Sequence, residues 1–202
     1  MKEKIKKITD SLGPYKGIIQ FVILLFFFHF SWKIAISGDM DSEYVYLFGK
    51  DITPGWMNKL CEYTALVAYK VIHLFPGGEK FIIDGTRLYF SDGLNVIRII
   101  WGCTGFKQMY IFAGIMLFYR GPFLKKLWYI PMGCVILSIY NIIRISSISG
   151  LTRYHPERFD SLHDGIFRYI YYGLIFLLWV IWEEFIVQKE LRKKEELKKK
   201  QV

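Results

Sequence analysis

Residues 127–146 read LWYIPMGCVILSIYNIIRIS, a run of twenty residues in which Arg144 is the only charged side chain. A helix of about 20 apolar residues crosses the roughly 30 Å hydrocarbon core of a bilayer. Three more apolar runs accompany this one, at 17–37, 104–119 and 166–187. Together the four runs predict an all-α membrane protein with about four transmembrane helices.

The composition supports this class. The chain has 202 residues, is 53% hydrophobic and 18% aromatic, and carries a net charge of +9. Its basic residues collect in both tails and one short loop, a pattern that argues against a nucleic-acid partner, which would need a basic folded surface. Cys61, Cys103 and Cys134 form an odd number without a CxxC pair, so a disulfide framework or a cysteine-rich zinc site is not expected.

Two segments between the first and second runs are predicted to lie outside the membrane. Residues 57–75 are apolar at helical spacing, but four polar side chains interrupt them: Lys59, Glu62, Lys70 and His73. Each charge at bilayer depth costs roughly 2.5–3.5 kcal/mol, which favours a surface amphipathic helix over a span. Residues 80–101 contain Asp-Gly pairs at 84–85 and 92–93 between short apolar runs, which predicts a small β-hairpin or antiparallel sheet.

Loop charges set the expected topology. The tail 1–16, the loop 120–126 and the tail 189–202 are all basic, and short basic loops remain in the cytoplasm. The spans therefore divide into 17–37 and a three-span core at 103–188, with 38–102 extracytoplasmic. We expect a multi-pass plasma (inner) membrane protein with both termini cytoplasmic. Glu183 and Glu184, near the inner end of the last run, are expected to pair with lysines of the tail.

This topology places three reactive side chains at one membrane depth. Cys103 precedes the second span, Arg144 ends the third and His163 precedes the fourth, so all three lie at the outer face. A thiolate is a strong nucleophile, and a helix N-terminus with nearby positive charge favours it. His163 could act as general acid and base, and Arg144 could stabilise an oxyanion or position the substrate. The pattern suggests acyl transfer.

Three neighbouring residues are expected to support that chemistry. Thr104 and Gly105 follow the cysteine, and the glycine would allow a substrate or the backbone to approach closely. Asn141 lies one helical turn before Arg144 and could orient it or donate to the same oxygen. Each residue also has an ordinary reading: a lone cysteine is usually apolar filler, which is how we interpret Cys61 and Cys134, and an arginine at a helix end usually reaches lipid headgroups.

At these residues the chain resembles the exosortase and archaeosortase family of membrane cysteine transpeptidases. The matching motifs are Cys103-Thr104-Gly105, the N-x-x-R pattern from Asn141 to Arg144, and His163-Asp164-Gly165. The resemblance covers 93–187. Thr104 stands where the family more often has Ser or Ala, and many relatives have additional spans before the core.

The resemblance implies a Cys-His-Arg site at the extracytoplasmic face, without a cofactor or a metal. It implies substrates that are membrane-anchored proteins ending in a short motif, a hydrophobic helix and a basic tail. The enzyme would cleave that sorting signal and transfer the protein to a lipid or other envelope acceptor.

Two alternatives remain open. A metal-dependent membrane hydrolase would draw its ligands from the acidic and histidine side chains of the 153–165 loop, namely His155, Glu157, Asp160, His163 and Asp164. The i, i+8 histidine spacing is unusual for zinc, and HExxH is absent. A non-catalytic scaffold or small-molecule transporter would use intramembrane polar groups or a broken helix. His29 in the first run, and Pro131 and Gly133 in the third, are the candidates for that role.

Overall fold

The computed structural model describes residues 15–38, 44–92, 97–155, 157, 159 and 165–200. The protein is mostly helical (76%) with two small antiparallel sheets. Its α-helices are α1 (Lys16–Ala35), α2 (Asn58–Ile72), α3 (Phe106–Phe118), α4 (Phe123–Tyr154), α5 (Phe167–Trp182) and α6 (Lys189–Lys199). Its strands are β1 (Ile36–Ser37), β2 (Tyr46–Leu47), β3 (Lys50–Asp51), β4 (Phe81–Asp84), β5 (Arg87–Phe90) and β6 (Ile97–Arg98). Short helical turns precede α2, β4 and α3, and a π-helical turn, Glu183–Gln188, joins α5 to α6.

Helix α3 forms the centre of the bundle and packs against α1, α4 and α5. Ile111, Phe112, Ile115 and Met116 of this helix are completely buried. A Cβ at Gly133 of α4 would overlap the ring of Phe112, so the missing side chain lets the two helices approach closely. A helix that is largely apolar on every side is buried by its neighbours, which agrees with the central position of α3.

Three helical segments are long and apolar enough to cross a membrane: Lys16–Ala35, Phe123–Thr152 and Phe167–Lys193. The fourth expected span, α3, is apolar but has 13 residues, a rise of about 20 Å. The structure thus supports a membrane protein with three candidate spans and a shorter buried helix, and it does not confirm the count of four. Helix α4 runs through Pro131 without a break.

The segment between α1 and α3 contains the expected amphipathic helix and sheet. The region predicted at 57–75 forms α2, which packs against α4 and against β4. Strands β4 and β5 pair from Phe81↔Phe90 to Asp84↔Arg87 around the predicted Asp-Gly turn, and β6 adds a third strand. Gly93 of the second Asp-Gly pair lies outside the described residues. The sheet formed by β1, β2 and β3 was not predicted.

Polar side chains cross-link the helices at one end of the bundle, which we call the Arg120 end. Buried Glu183 pairs with Arg120, accepts a hydrogen bond from the Tyr119 hydroxyl at 2.8 Å and another from the Gln188 amide at 2.6 Å. Burial and the Glu183 carboxylate raise the pKa of Tyr119 to about 12, so the phenol remains a donor. The expected pairing of Glu183 with lysines of the tail is wrong, because the 119–122 loop occupies its carboxylate.

We expect Glu183→Ala to destabilise the bundle. Removing one partner of a buried ion pair costs about 3–5 kcal/mol. The Arg120 side chain is 35% exposed, so water can partly solvate its unpaired charge. We therefore expect the free energy of unfolding to fall by roughly 2–3 kcal/mol. Thermal unfolding in detergent would measure this as a drop of about 5–10 °C. The control is Glu184→Ala, the same change at an exposed neighbour; equal losses in the two variants would contradict the prediction.

Candidate active site

Cys103 lies in a short 3₁₀ turn immediately before α3, at the opposite end of the bundle, which we call the Cys103 end. Its N–H donates to the Ile100 carbonyl at 2.9 Å. The Thr104 hydroxyl donates to the Trp101 carbonyl at 2.7 Å and accepts from the Phe106 N–H at 3.3 Å. Thr104 therefore closes the turn and accepts from the first N–H of α3, a role that serine could share and alanine could not. The cysteine itself is half-buried.

Gly105 joins this turn to α3 and is required by its backbone conformation and its surroundings. It adopts the left-handed conformation with φ of 73°, which side chains other than glycine adopt at a cost. A Cβ here would lie 2.7 Å from the Tyr171 hydroxyl oxygen and 3.0 Å from Cγ of Asn141. The close approach expected at this glycine is thus made by two side chains of the protein itself.

We expect Gly105→Ala to disrupt the Cys103 turn. The left-handed conformation costs about 1–2 kcal/mol for an L-residue, and overpacking adds about 1–3 kcal/mol. Gly102→Ala is a matched control three residues away, because its Cβ would meet nothing within 4 Å. The midpoint temperature of thermal unfolding in detergent should fall by about 5–10 °C for Gly105→Ala and change little for Gly102→Ala. A Gly105→Ala protein as stable as the control would show that the turn tolerates a side chain.

Asn141 connects α4 to the Cys103 turn. Its side chain is 1% exposed, and its amide nitrogen donates to the Cys103 carbonyl at 2.7 Å. The buried Oδ1 atom has no hydrogen-bond partner among the described residues. The sequence suggested that Asn141 orients Arg144 or donates to an oxyanion. In the structure one of its N–H groups instead holds the main chain of the proposed nucleophile.

Arg144 is buried one helical turn after Asn141, with 7% of its surface exposed. Its charge lies near enough to Tyr140 and Tyr171 to act on both hydroxyl groups. The next residue, Ile145, belongs to the apolar cluster against which Cys103 packs. An arginine that only anchors headgroups would be exposed, so its burial favours a role within the protein.

Tyr171 is a residue of this site that the sequence did not indicate. Its buried hydroxyl donates to the Leu137 carbonyl at 2.9 Å, and its ring meets that of Tyr140 edge to face at 5.0 Å. The Tyr140 hydroxyl in turn donates to the Phe167 carbonyl at 3.0 Å. These contacts attach the beginning of α5 to the part of α4 that carries Asn141.

His163 lies outside the described residues, as do Asp164 and Asp160. Its distance from Cys103 therefore remains a prediction. Three residues separate it from Phe167 at the start of α5, whose carbonyl accepts a hydrogen bond from Tyr140. Among the described residues, no group of three or more His, Cys, Asp or Glu side chains could hold a metal ion. His155 contacts Glu157 at 3.1 Å, and both are exposed.

The two other cysteines differ in their relation to Cys103. Cys61 of α2 is 5% exposed. Burial raises the pKa of its thiol to about 11, with smaller contributions from Cys103 and Glu62. Cys134 is half-buried and packs against the central apolar core of the bundle. At neutral pH Cys61 is therefore a protonated, unreactive thiol, which agrees with its interpretation as apolar filler.

An apolar cavity of about 490 Å³ lies between α2, the β4–β5 hairpin and α4. On α4 it is lined by residues that flank Arg144 and continue along the helix: Ile143, Ser146, Ser147, Gly150 and Leu151. Phe81 and Phe90 of the hairpin form the opposite wall, and they belong to the same cluster that Cys103 contacts. The cavity and the cysteine thus border the same apolar cluster.

The fold and the site together define a membrane protein with a thiol, an amide and a guanidinium gathered at one end of a helical bundle. The family model of the transmembrane exosortases matches residues 45–182, about two thirds of the chain and all elements from β2 to α5. The chain belongs to the transmembrane exosortase family, as the motifs of Cys103, Arg144 and His163 suggested. Neither a curated protein nor a solved structure matches it.

Proposed function

We propose that the protein is a membrane-embedded cysteine transpeptidase that cleaves C-terminal sorting signals. The Cys103 thiolate attacks the scissile carbonyl carbon and forms a tetrahedral intermediate whose oxyanion Arg144 stabilises. His163 accepts the thiol proton and gives it to the leaving amine as the C–N bond breaks. The product is a thioester on Cys103. An acceptor nucleophile then attacks the thioester, its proton passes to His163, and the thiol is regenerated.

The observation that carries this proposal is the 2.7 Å hydrogen bond from Asn141 to the Cys103 carbonyl. It joins the turn of the nucleophile to the helix that carries Arg144, so two of the three proposed catalytic residues belong to one rigid unit. Membership in the transmembrane exosortase family supports the same assignment. Such preorganisation is what electrostatic stabilisation of an oxyanion requires, because the donor must be fixed before charge develops.

The apolar cavity supports a role in substrate binding. It lies beside Arg144 and is lined by α2 and the hairpin, which belong to the segment 38–102 that is predicted to be extracytoplasmic. We propose that it receives apolar residues of the sorting signal while the hydrophobic helix of the substrate lies against the bundle. A wall of this kind also keeps water from the thioester, which favours transfer to the acceptor over hydrolysis.

The orientation of the site follows from the basic segments. The 120–126 loop and both tails are basic, which supports a cytoplasmic location for the Arg120 end. The Cys103 end is then extracytoplasmic, where membrane-anchored precursors present their signals. The acceptor in this proposal is a lipid or another envelope component at that face.

Alkylation by a charged, membrane-impermeant iodoacetamide tests the proposal without a substrate. In intact cells or spheroplasts at neutral pH we expect Cys103 to react from outside, and His163→Ala to slow the reaction at least tenfold. Cys61 is an internal reference: with a pKa of about 11, its thiol is protonated at neutral pH and should gain reactivity only as the pH approaches 11. Peptide mass spectrometry distinguishes the three cysteines.

Two outcomes would count against the proposal. Reaction of Cys103 only from the cytoplasmic side, with a denatured sample to show that the thiol is intact, would reverse the orientation. An unchanged alkylation rate of Cys103 in His163→Ala would show that His163 does not activate the Cys103 thiol.

A further inference from the structure

The apolar cavity lies beyond Cys103 along α4. Helix α4 begins at Phe123, at the Arg120 end, and contacts the Cys103 turn through Asn141. The residues of α4 that line the cavity begin with Ile143 and end with Leu151. At a rise of 1.5 Å per residue, the cavity starts about 3 Å beyond the level of Asn141 and ends about 15 Å beyond it. It therefore lies on the side of Cys103 that faces away from the Arg120 end.

The same arithmetic compares the cavity with the thickness of a membrane. Near the start of α4, the Lys126 ammonium donates to the Tyr119 carbonyl at the Arg120 end. From Lys126 to Arg144 the helix rises by about 27 Å, and the hydrocarbon core of a bilayer is about 30 Å thick. With these two charges near its two boundaries, the last part of the cavity wall, up to Leu151, lies outside the hydrocarbon core. The cavity is thus at the level where a peptide chain leaves the membrane.

The lining of the cavity suits apolar side chains. Among the described residues that line it, none is charged. The rings of Phe81 and Phe90 lie 4.0 Å apart, centroid to centroid, on one wall. Phe75 and Ile143 line the cavity and are also exposed, so it opens to the surroundings. Its volume of about 490 Å³ is within the range of about 300–1,000 Å³ that is usual for ligand sites.

The direction of the substrate follows from the proposed function, on which this inference rests. There the hydrophobic helix of the sorting signal lies against the bundle, its basic tail is at the Arg120 end, and the scissile carbonyl is beside Cys103. Residues on the C-terminal side of the scissile bond then run toward the Arg120 end, and those on its N-terminal side run past the cavity. An extended chain rises about 3.4 Å per residue, so the cavity reaches about four residues before the scissile bond.

We propose that the cavity binds apolar side chains of the roughly four residues on the N-terminal side of the scissile bond. Alternate residues of an extended chain face the same way, about 7 Å apart, and a cavity that follows α4 for about 12 Å accommodates two of them. These residues stay with the acyl group when the hydrophobic helix leaves. The cavity consequently holds the thioester in place for the acceptor, and it selects substrates by the residues before the cleavage site.

Photo-cross-linking from Gly150 tests which part of the substrate occupies the cavity. Gly150 lines it, and a Cβ there would meet nothing within 4 Å. Benzoylphenylalanine is placed at this position in a Cys103→Ala protein, which leaves precursors uncleaved, and cells are irradiated. Mass spectrometry should find cross-links within about four residues before the cleavage site, as mapped in wild-type cells. Gly173 of α5, also helical and with open space at its Cβ, is the matched control and should not label those residues.

Filling the cavity provides a second measurement. Gly150→Phe should slow processing of precursors by about tenfold or more, because a pocket that has lost its space discriminates by this factor against apolar groups that filled it. Gly173→Phe, the same change outside the cavity, should process normally. Cys103 should still react with the charged iodoacetamide from outside in Gly150→Phe, which shows that the site is folded. If that variant does not fold, the cross-linking result decides.

Two results would overturn this inference. The first is cross-linking from Gly150 only to the hydrophobic helix after the cleavage site, or only to lipid. The second is equal processing in Gly150→Phe and Gly173→Phe. Both are compatible with a cysteine transpeptidase that binds its substrate elsewhere. Failure of the proposed function itself would be seen differently, as normal processing in Cys103→Ala.

Discussion

Cys103→Ala is expected to abolish processing of the substrate, with a loss of at least about 10³-fold in rate, because no other group in the proposed mechanism can form the thioester. The change is small in structural terms. The Cys103 carbonyl, which accepts the hydrogen bond from Asn141, belongs to the main chain and is retained. Membrane insertion and thermal stability should therefore be close to those of the wild type, and the loss can be assigned to the missing sulfur.

The measurement is the accumulation of unprocessed precursors in cells that express only the variant. Proteins ending in a hydrophobic helix and a basic tail should keep those segments, which C-terminal peptide mass spectrometry detects. Cys61→Ala and Cys134→Ala are matched controls that remove the other thiols and should process normally. Normal processing in Cys103→Ala, or equal loss in all three variants, would exclude Cys103 as the nucleophile.

The sequence located the helices well where apolar length alone determines them. The apolar run at 166–187 corresponds to the helix Phe167–Trp182 and the following π-helical turn. The run at 17–37 corresponds to the helix Lys16–Ala35. Helix α4 was underestimated, because it continues to Tyr154 instead of ending near 146. Its last part contains polar residues that are buried in the folded protein, including Ser149 at 1% and Thr152 at 7% exposure. A hydropathy pattern cannot anticipate that tertiary shielding.

Two other features could not be predicted from the sequence, for related reasons. Strands of two residues, such as β1, β2 and β3, are too short to carry a period-two pattern. The pairing of Glu183 with Arg120 joins positions 63 residues apart, which local charge patterns cannot specify. The tail lysines were nearer in sequence, but the 119–122 loop was nearer in space.

The depth and composition of the site remain predictions from the sequence, whereas its contacts could not be anticipated. Charge counting placed Cys103 and Arg144 at one level, and they lie at one end of the bundle. The hydrogen bond from Asn141 and the contact of Tyr171 with Gly105 depend on how α3, α4 and α5 rotate against each other. Rotation is set by packing details such as the Gly133–Phe112 contact, which no single helix encodes.

Arg144→Lys is expected to lower the processing rate by about 10²–10³-fold, the usual cost of removing one oxyanion donor. Lysine keeps the charge but not the planar fork of guanidinium donors. Its shorter reach from a buried position on α4 would leave the proposed oxyanion without a correctly placed N–H. Arg144 is 7% exposed, so a headgroup anchor, for which lysine would suffice, fits its position poorly.

The same precursor assay measures the effect, and thermal unfolding in detergent shows whether the variant folds. Arg87→Lys is the matched control, since it makes the same change at an exposed arginine of the β4–β5 hairpin and should process normally. A folded Arg144→Lys protein with near-normal rates would show that charge alone suffices at this position. In that case another donor would have to stabilise the oxyanion. The Asn141 amide already donates to the Cys103 carbonyl through one N–H. Asn141→Asp would therefore be the next variant to measure.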